Sequence, residues 1–61
     1  MGYGYTVTHS IDMINEYCNN PSAYKSWQLR EAINDARMHY EQGKVSKSWY
    51  DQVVRILSSY I

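Results

Sequence analysis

The fold is dominated by one stretch of the chain, PSAYKSWQLREAINDARMHYEQ, residues 21–42. After Pro21 it contains neither proline nor glycine, and many of its residues are good helix formers. Asn20 is a preferred N-cap, and proline is favoured at the first helical position, where its missing N–H costs nothing. Gly43 ends the run, because glycine readily adopts the left-handed conformation that closes a helix. The sequence therefore predicts one long helix from Pro21 to Gln42.

A shorter helix is predicted on each side of this stretch. The preceding helix has Thr8 or Ser10 as its N-cap, and the following helix has Ser46, with Ser48 as the competing cap. The last helix is predicted to run from about Lys47 to the C-terminus. Both carry apolar residues at helical spacing: Ile11, Ile14, Tyr17 and Cys18 in the first, and Trp49, Tyr50, Val53, Val54, Ile56, Leu57, Tyr60 and Ile61 in the last.

Together these elements predict an all-α fold, a compact three-helix bundle over residues 9–61. A short extended N-terminal arm is predicted over residues 1–8, because Tyr3, Tyr5 and Val7 have the period-two spacing of extended chain. The core is expected to draw on apolar residues from all three helices: Ile11, Ile14, Cys18, Leu29, Ile33, Ala36, Tyr40, Trp49, Val53, Ile56, Leu57 and Tyr60.

Size, charge and cysteine content limit the classes of function. A chain of 61 residues lies near the lower size limit for independent folding, so a partner or self-association would help to stabilise it. Six Lys and Arg balance six Asp and Glu, which argues against mainly electrostatic binding to nucleic acid or a membrane surface. A single cysteine, Cys18, without a secretory signal or a long apolar run predicts a cytoplasmic protein with no membrane segment.

No pattern of residues indicates catalysis. Neither His9 nor His39 is spaced from other ligand types as in a metal site or a catalytic triad. Cys18 falls on the apolar face of the first helix, where a buried inert thiol is expected rather than a nucleophile. The sequence therefore predicts no catalytic residue, no cofactor and no metal, and an enzyme is the least favoured class.

The aromatic residues point instead to a binding surface. The chain has seven Tyr and two Trp but no Phe, and rings with polar tips suit contact surfaces. Opposite the core face of the long helix, a second stripe recurs at intervals of three and four residues, as in a helix-contacting seam. We predict that it binds a partner; the alternative is that the arm, with Tyr3, Tyr5 and Val7, covers its first two residues. The stripe comprises Tyr24, Trp27, Glu31, Asn34 and Met38.

A basic row is the second candidate site. Arg30, Arg37 and Lys44 are spaced by seven and share one side of the helix, with Lys47 just beyond. The simpler interpretation is a solvated flank whose stems cover the edge of the core. The functional alternative is a contact with phosphates, nucleic acid or an acidic protein surface.

These features favour a small protein–protein interaction module that regulates or inhibits a larger intracellular protein. Compact single-domain proteins of this kind are common among phage and mobile-element regulators, and this association suggests the same class here. One alternative is a small helix-turn-helix-like DNA-binding regulator, with Gly43 in the turn and Ser46 at the start of the second helix. The other is a structural homo-oligomer, such as a homodimer, that uses the same stripe.

Overall fold

Three α-helices and one short 3-10 helix make up residues 7–61, the part of the chain that the computed structural model describes. In chain order they are α1 (Val7–Asn19), the 3-10 helix Pro21–Ala23, α2 (Ser26–Glu41) and α3 (Lys47–Ser58). No strand occurs within this range. The predicted all-α fold with three helices is confirmed.

The first helix begins earlier than predicted. Val7 and Thr8 form the start of α1, so their assignment to an extended arm is wrong. Ser10 lies inside the helix and is not its N-cap; its hydroxyl is 2.9 Å from Nε2 of His39 on α2. Its side chain therefore joins two helices. The remainder of the predicted arm, residues 1–6, lies outside the described residues.

Residues 21–42 form two elements and not the single long helix predicted. The 3-10 helix closes where the N–H of Tyr24 donates to the carbonyl of Pro21 at 3.2 Å. Tyr24 and Lys25 are then extended, and α2 starts at Ser26. The side-chain oxygen of Gln28 accepts the N–H of Lys25 at 2.9 Å, which is one half of a capping box. Tertiary packing of Tyr24 overrides the local helix propensity here.

The predicted end of the long helix at Gly43 is confirmed. Gly43 has φ +74°, the left-handed conformation that glycine adopts at little cost. The N–H of Lys44 donates to the carbonyl of His39 at 2.9 Å, and that of Gly43 donates to Tyr40 at 3.0 Å. This pair of bonds is a Schellman motif, which satisfies the last carbonyls of α2 and turns the chain towards α3.

The start of α3 is also as predicted, but its end is not. Ser46 is the N-cap, and its Oγ accepts the N–H of Trp49 at 3.1 Å. The helix ends at Ser58 and does not reach the C-terminus. Tyr60 therefore lies beyond the last helical turn and is 52% exposed, so its predicted place in the core is wrong.

The core lies where the three helices meet. Among residues 7–61, six hydrophobic residues are fully buried: Ile14, Leu29, Ala32, Ala36, Val53 and Leu57. Five of these were predicted, and the sixth, Ala32, was not among the predicted core residues although it is only 3% exposed. The predicted core residues Cys18, Ile33, Trp49 and Ile56 are half-buried and pack against this cluster. Ile11 and Tyr40 are also half-buried, and the Tyr40 ring stacks on Tyr50 at a centroid distance of 5.1 Å.

Candidate functional site

A groove with a volume of about 270 Å³ lies between α1 and α2. Its deepest residues are Ile14 of α1 and Ala32 of α2, which belong to the buried core. Exposed residues of both helices form its edges, so the groove opens to solvent. The residues that line it are Ser10, Met13, Ile14, Tyr17, Trp27, Gln28, Glu31, Ala32 and Asp35.

Trp27 is the largest exposed side chain at this groove. It lies in the first turn of α2, is 57% exposed, and its indole donates no hydrogen bond within residues 7–61. Met38 is 50% exposed and lies about three helical turns further along, on the same face and roughly 16 Å away along the helix axis. Glu31 and Asn34 lie between them and are exposed. Four residues of the predicted stripe therefore form one continuous solvent-facing surface on α2.

Tyr24, the fifth residue of the predicted stripe, is separated from the other four. Because α2 begins only at Ser26, Tyr24 does not continue the helical face that carries Trp27. It is half-buried, packs against the core, and its ring centroid is 4.2 Å from that of Tyr17. Tyr17 lines the groove. The contact therefore favours a supporting role for Tyr24, which holds the ring of Tyr17 in place.

Charge is distributed unevenly around the stripe. Glu31 and Asp35, both exposed, line the groove, and no Lys, Arg or His is among its described lining residues. On the other flank, Arg30 and Arg37 are exposed, and Nη2 of Arg37 donates to Oδ1 of Asn34 at 2.6 Å. The apolar surface around Trp27 therefore has an acidic edge on the groove side and a basic edge on the far side.

The predicted basic row is spread over two helices and the turn between them. Arg30 and Arg37 lie on α2, Lys44 lies in the turn, and Lys47 begins α3. Nζ of Lys47 is 2.9 Å from Oδ2 of Asp51, and this hydrogen bond raises the pKa of the lysine. With Arg37 bonded to Asn34, two of the four cations already bind side chains of the same chain. The row is therefore not a single helical face of free cations, and its contact with phosphates stays a prediction.

A second groove, of about 230 Å³, lies between α1 and α3. The indole N–H of Trp49 donates to Oδ1 of Asn15 at 3.0 Å and so connects the two helices. Burial raises the pKa of the Cys18 thiol, which disfavours the nucleophilic thiolate. The lining residues are Asn15, Cys18, Asn19, Trp49, Gln52, Val53 and Ile56.

His39 contacts α1 in a way that the sequence did not reveal. Its Nε2 is 2.9 Å from Oγ of Ser10, and its Nδ1 is buried without a hydrogen-bond partner among residues 7–61. Ser10 precedes the core residue Ile14 by one helical turn and so shares its face. That spacing is the sequence signal that could have placed Ser10 on the face of α1 that packs against α2. His39 therefore contributes to helix packing beside the groove.

Residues 7–61 contain neither a three-residue metal-binding cluster nor a membrane-spanning helix. Among the described residues, no three His, Cys, Asp or Glu side chains are grouped so that they could hold a metal ion. Over the same range, every helix is too short or too polar to cross a bilayer. The exposed stripe and its groove remain as the candidate site.

No known family model, curated protein or solved structure matches this chain. A function therefore cannot be transferred from a relative. The proposals that follow rest on the exposed aromatic surface, its charges and the groove beside it.

Proposed function

We propose that this chain is a small non-enzymatic protein-binding module that regulates or inhibits a larger protein partner. The contact surface is formed by Trp27, Met38 and the groove between α1 and α2. The observation that carries the proposal is the 57% exposure of Trp27 at the edge of a groove lined by both apolar and acidic side chains. Tryptophan is among the residue types that contribute most to binding energy at protein interfaces.

The energetics support a partner for this surface. Covering the exposed part of Trp27 would stabilise a complex by about 3 kcal/mol, from the area of a Trp side chain and the usual value per unit area. The core does not use this area, since the buried residues of α2 are on the opposite face. Met38 adds a flexible apolar side chain that adapts to irregular surfaces.

A cytoplasmic location belongs to the same proposal. The chain has one cysteine and so forms no internal disulfide, as is usual for proteins of reducing compartments. The raised pKa of Cys18 keeps its thiol in the protonated, less reactive form. A cytoplasmic protein is therefore the expected partner.

Copurification and binding measurements test the proposal. The full chain is tagged and expressed in its native cell, the captured protein is identified by mass spectrometry, and its affinity is measured with purified components. We expect Trp27→Ala to weaken binding about 30-fold, or about 2 kcal/mol. Tyr60→Ala is the matched control, because Tyr60 is another exposed aromatic residue (52%) outside the groove. Equal affinities of wild type, Trp27→Ala and Met38→Ala would contradict the proposal.

A further inference from the structure

We propose that the segment bound at this surface is positively charged and amphipathic, a Lys- or Arg-rich peptide or helix with an apolar anchor. The inference rests on the proposed function and adds the chemistry of the partner. The anchor enters the groove between α1 and α2, and the cations pair with Glu31 and Asp35.

The size of the groove favours a side chain as the occupant. Pockets for small molecules and cofactors usually enclose about 300–1,000 Å³ and bury most of the ligand. This groove has about 270 Å³ and is open to solvent. One or two apolar side chains of a longer segment fit such a space, while the rest of the segment lies along the helices.

The acidic edge decides the charge of the occupant. Glu31 and Asp35 are one helical turn apart, so their side chains project from points about 6 Å apart on α2. Neither carboxylate has a hydrogen bond or ion pair within residues 7–61. Like charges at this spacing destabilise a helix, and a cation between them removes the repulsion. A basic segment therefore gains from both carboxylates, whereas an acidic one is repelled.

A second copy of the chain fits this surface less well. If two α2 stripes packed in a symmetric pair with parallel helices, Glu31 would face its own copy across the seam. With antiparallel helices, the acidic edges of the two copies would lie along each other. The antiparallel pair brings the acidic edges together. The parallel pair sets Glu31 against its own copy, although each acidic edge then lies beside the basic edge of the other copy. A separate basic partner avoids both repulsions and is the better complement.

A peptide selection tests the inference. A random library of displayed 12-residue peptides is selected against the full chain, and the most enriched peptide is synthesised for kinetic measurements. We expect net positive peptides with at least one large apolar residue. Glu31→Gln with Asp35→Asn should slow association about tenfold and flatten its salt dependence. The matched control, Asp12→Asn with Glu41→Gln, removes the same charge from residues outside the groove and should change the rate less than about threefold.

Other outcomes overturn the inference in distinguishable ways. If the enriched peptides are neutral or acidic and do not bind the Trp27→Ala variant, the inferred positive charge of the partner is refuted. The proposal that this surface binds a protein would remain intact. If the peptides bind Trp27→Ala and Met38→Ala with unchanged affinity, or if no peptide is enriched, the proposed binding surface is refuted as well. Circular dichroism of each variant shows whether it remains folded.

Two further measurements decide between occupants. Sedimentation that shows a dimer in wild type and a monomer in Trp27→Ala would assign the groove to a second copy. The chain labelled with 5-fluorotryptophan reports on Trp27 by fluorine NMR. A shift of that resonance in Tyr3→Ala with Tyr5→Ala would assign the groove to the chain's own N-terminal segment. Either result would overturn the separate basic partner, and the absence of both supports it.

Discussion

The two tryptophans occupy nearly equivalent places in their helices but have opposite environments. Trp49 is the third residue of α3 after the N-cap Ser46, and Trp27 is the second residue of α2 after Lys25. Trp49 packs on the core and donates its indole N–H to Asn15, whereas Trp27 is 57% exposed. One residue of difference in register turns a side chain by about 100° around a helix. That rotation is enough to separate a ring packed within the bundle from a ring exposed to solvent.

The comparison limits what aromatic composition can indicate. Tyr40 and Tyr50 stack on each other, and Tyr17 contacts Tyr24, so these rings are used within the bundle. Among the described aromatic residues, Trp27 and Tyr60 are the ones more than half exposed. The excess of Tyr and Trp therefore reflects packing between helices as much as a surface for a partner.

The largest expected effect is a difference in protein stability between substitutions of Trp49 and of Trp27. Trp49→Ala should lower the free energy of unfolding by about 3 kcal/mol, because it leaves a cavity against the core and removes the bond to Asn15. Trp27→Ala should change it by less than about 0.5 kcal/mol, since the ring is mostly in solvent. Urea denaturation followed by circular dichroism measures both. Equal losses would show that Trp27 is a packing residue.

A smaller effect is expected at the caps of the helices that carry these rings. Ser46→Ala should destabilise the fold by about 1 kcal/mol, because its hydroxyl accepts the N–H of Trp49. Lys25→Ala at the N-cap of α2 should cost less than about 0.5 kcal/mol, because the bond to Gln28 there uses the backbone N–H of residue 25. The same denaturation experiment compares them, and a larger loss in Lys25→Ala would reverse the interpretation.

The smallest expected effect is a pH dependence of the free energy of unfolding that comes from Cys18, which lines the groove beside Trp49. Burial raises the pKa of Cys18 above its ordinary value of 9.0, so the unfolded thiol ionises before the folded one. The stability from this protonated thiol is complete below about pH 9 and is lost as pH rises through the folded pKa. Denaturation between pH 8 and pH 10.5 should show a decline that is absent in Cys18→Ala. Identical slopes in the two proteins would contradict it.

Local signals in the sequence predicted the junction between α2 and α3 well. Gly43 and Ser46 act through their own backbone and side-chain chemistry, so their roles follow from residue type and position. The core followed from helical spacing, because Leu29, Val53 and Leu57 each repeat on the apolar face of one helix. The caps and the apolar faces of the helices depend mainly on residues within one or two helical turns of each other.

The features that were missed depend on contacts between distant residues. The break before α2 coincides with the packing of Tyr24 on Tyr17, a contact that no local propensity encodes. The groove combines Met13 and Tyr17 of α1 with Trp27 of α2, so it could be described only once the two helices were packed. The exposed stripe could be predicted from α2 alone, but its acidic groove could not.

The Schellman turn at Gly43 has a consequence for how the bundle opens. The carbonyl of His39 receives the N–H of Lys44, while the ring of the same residue holds Ser10 of α1. His39 thus takes part in both the turn between α2 and α3 and the contact between α1 and α2. Loosening either junction disturbs the other, so we expect the three helices to unfold as a single cooperative unit and not one by one.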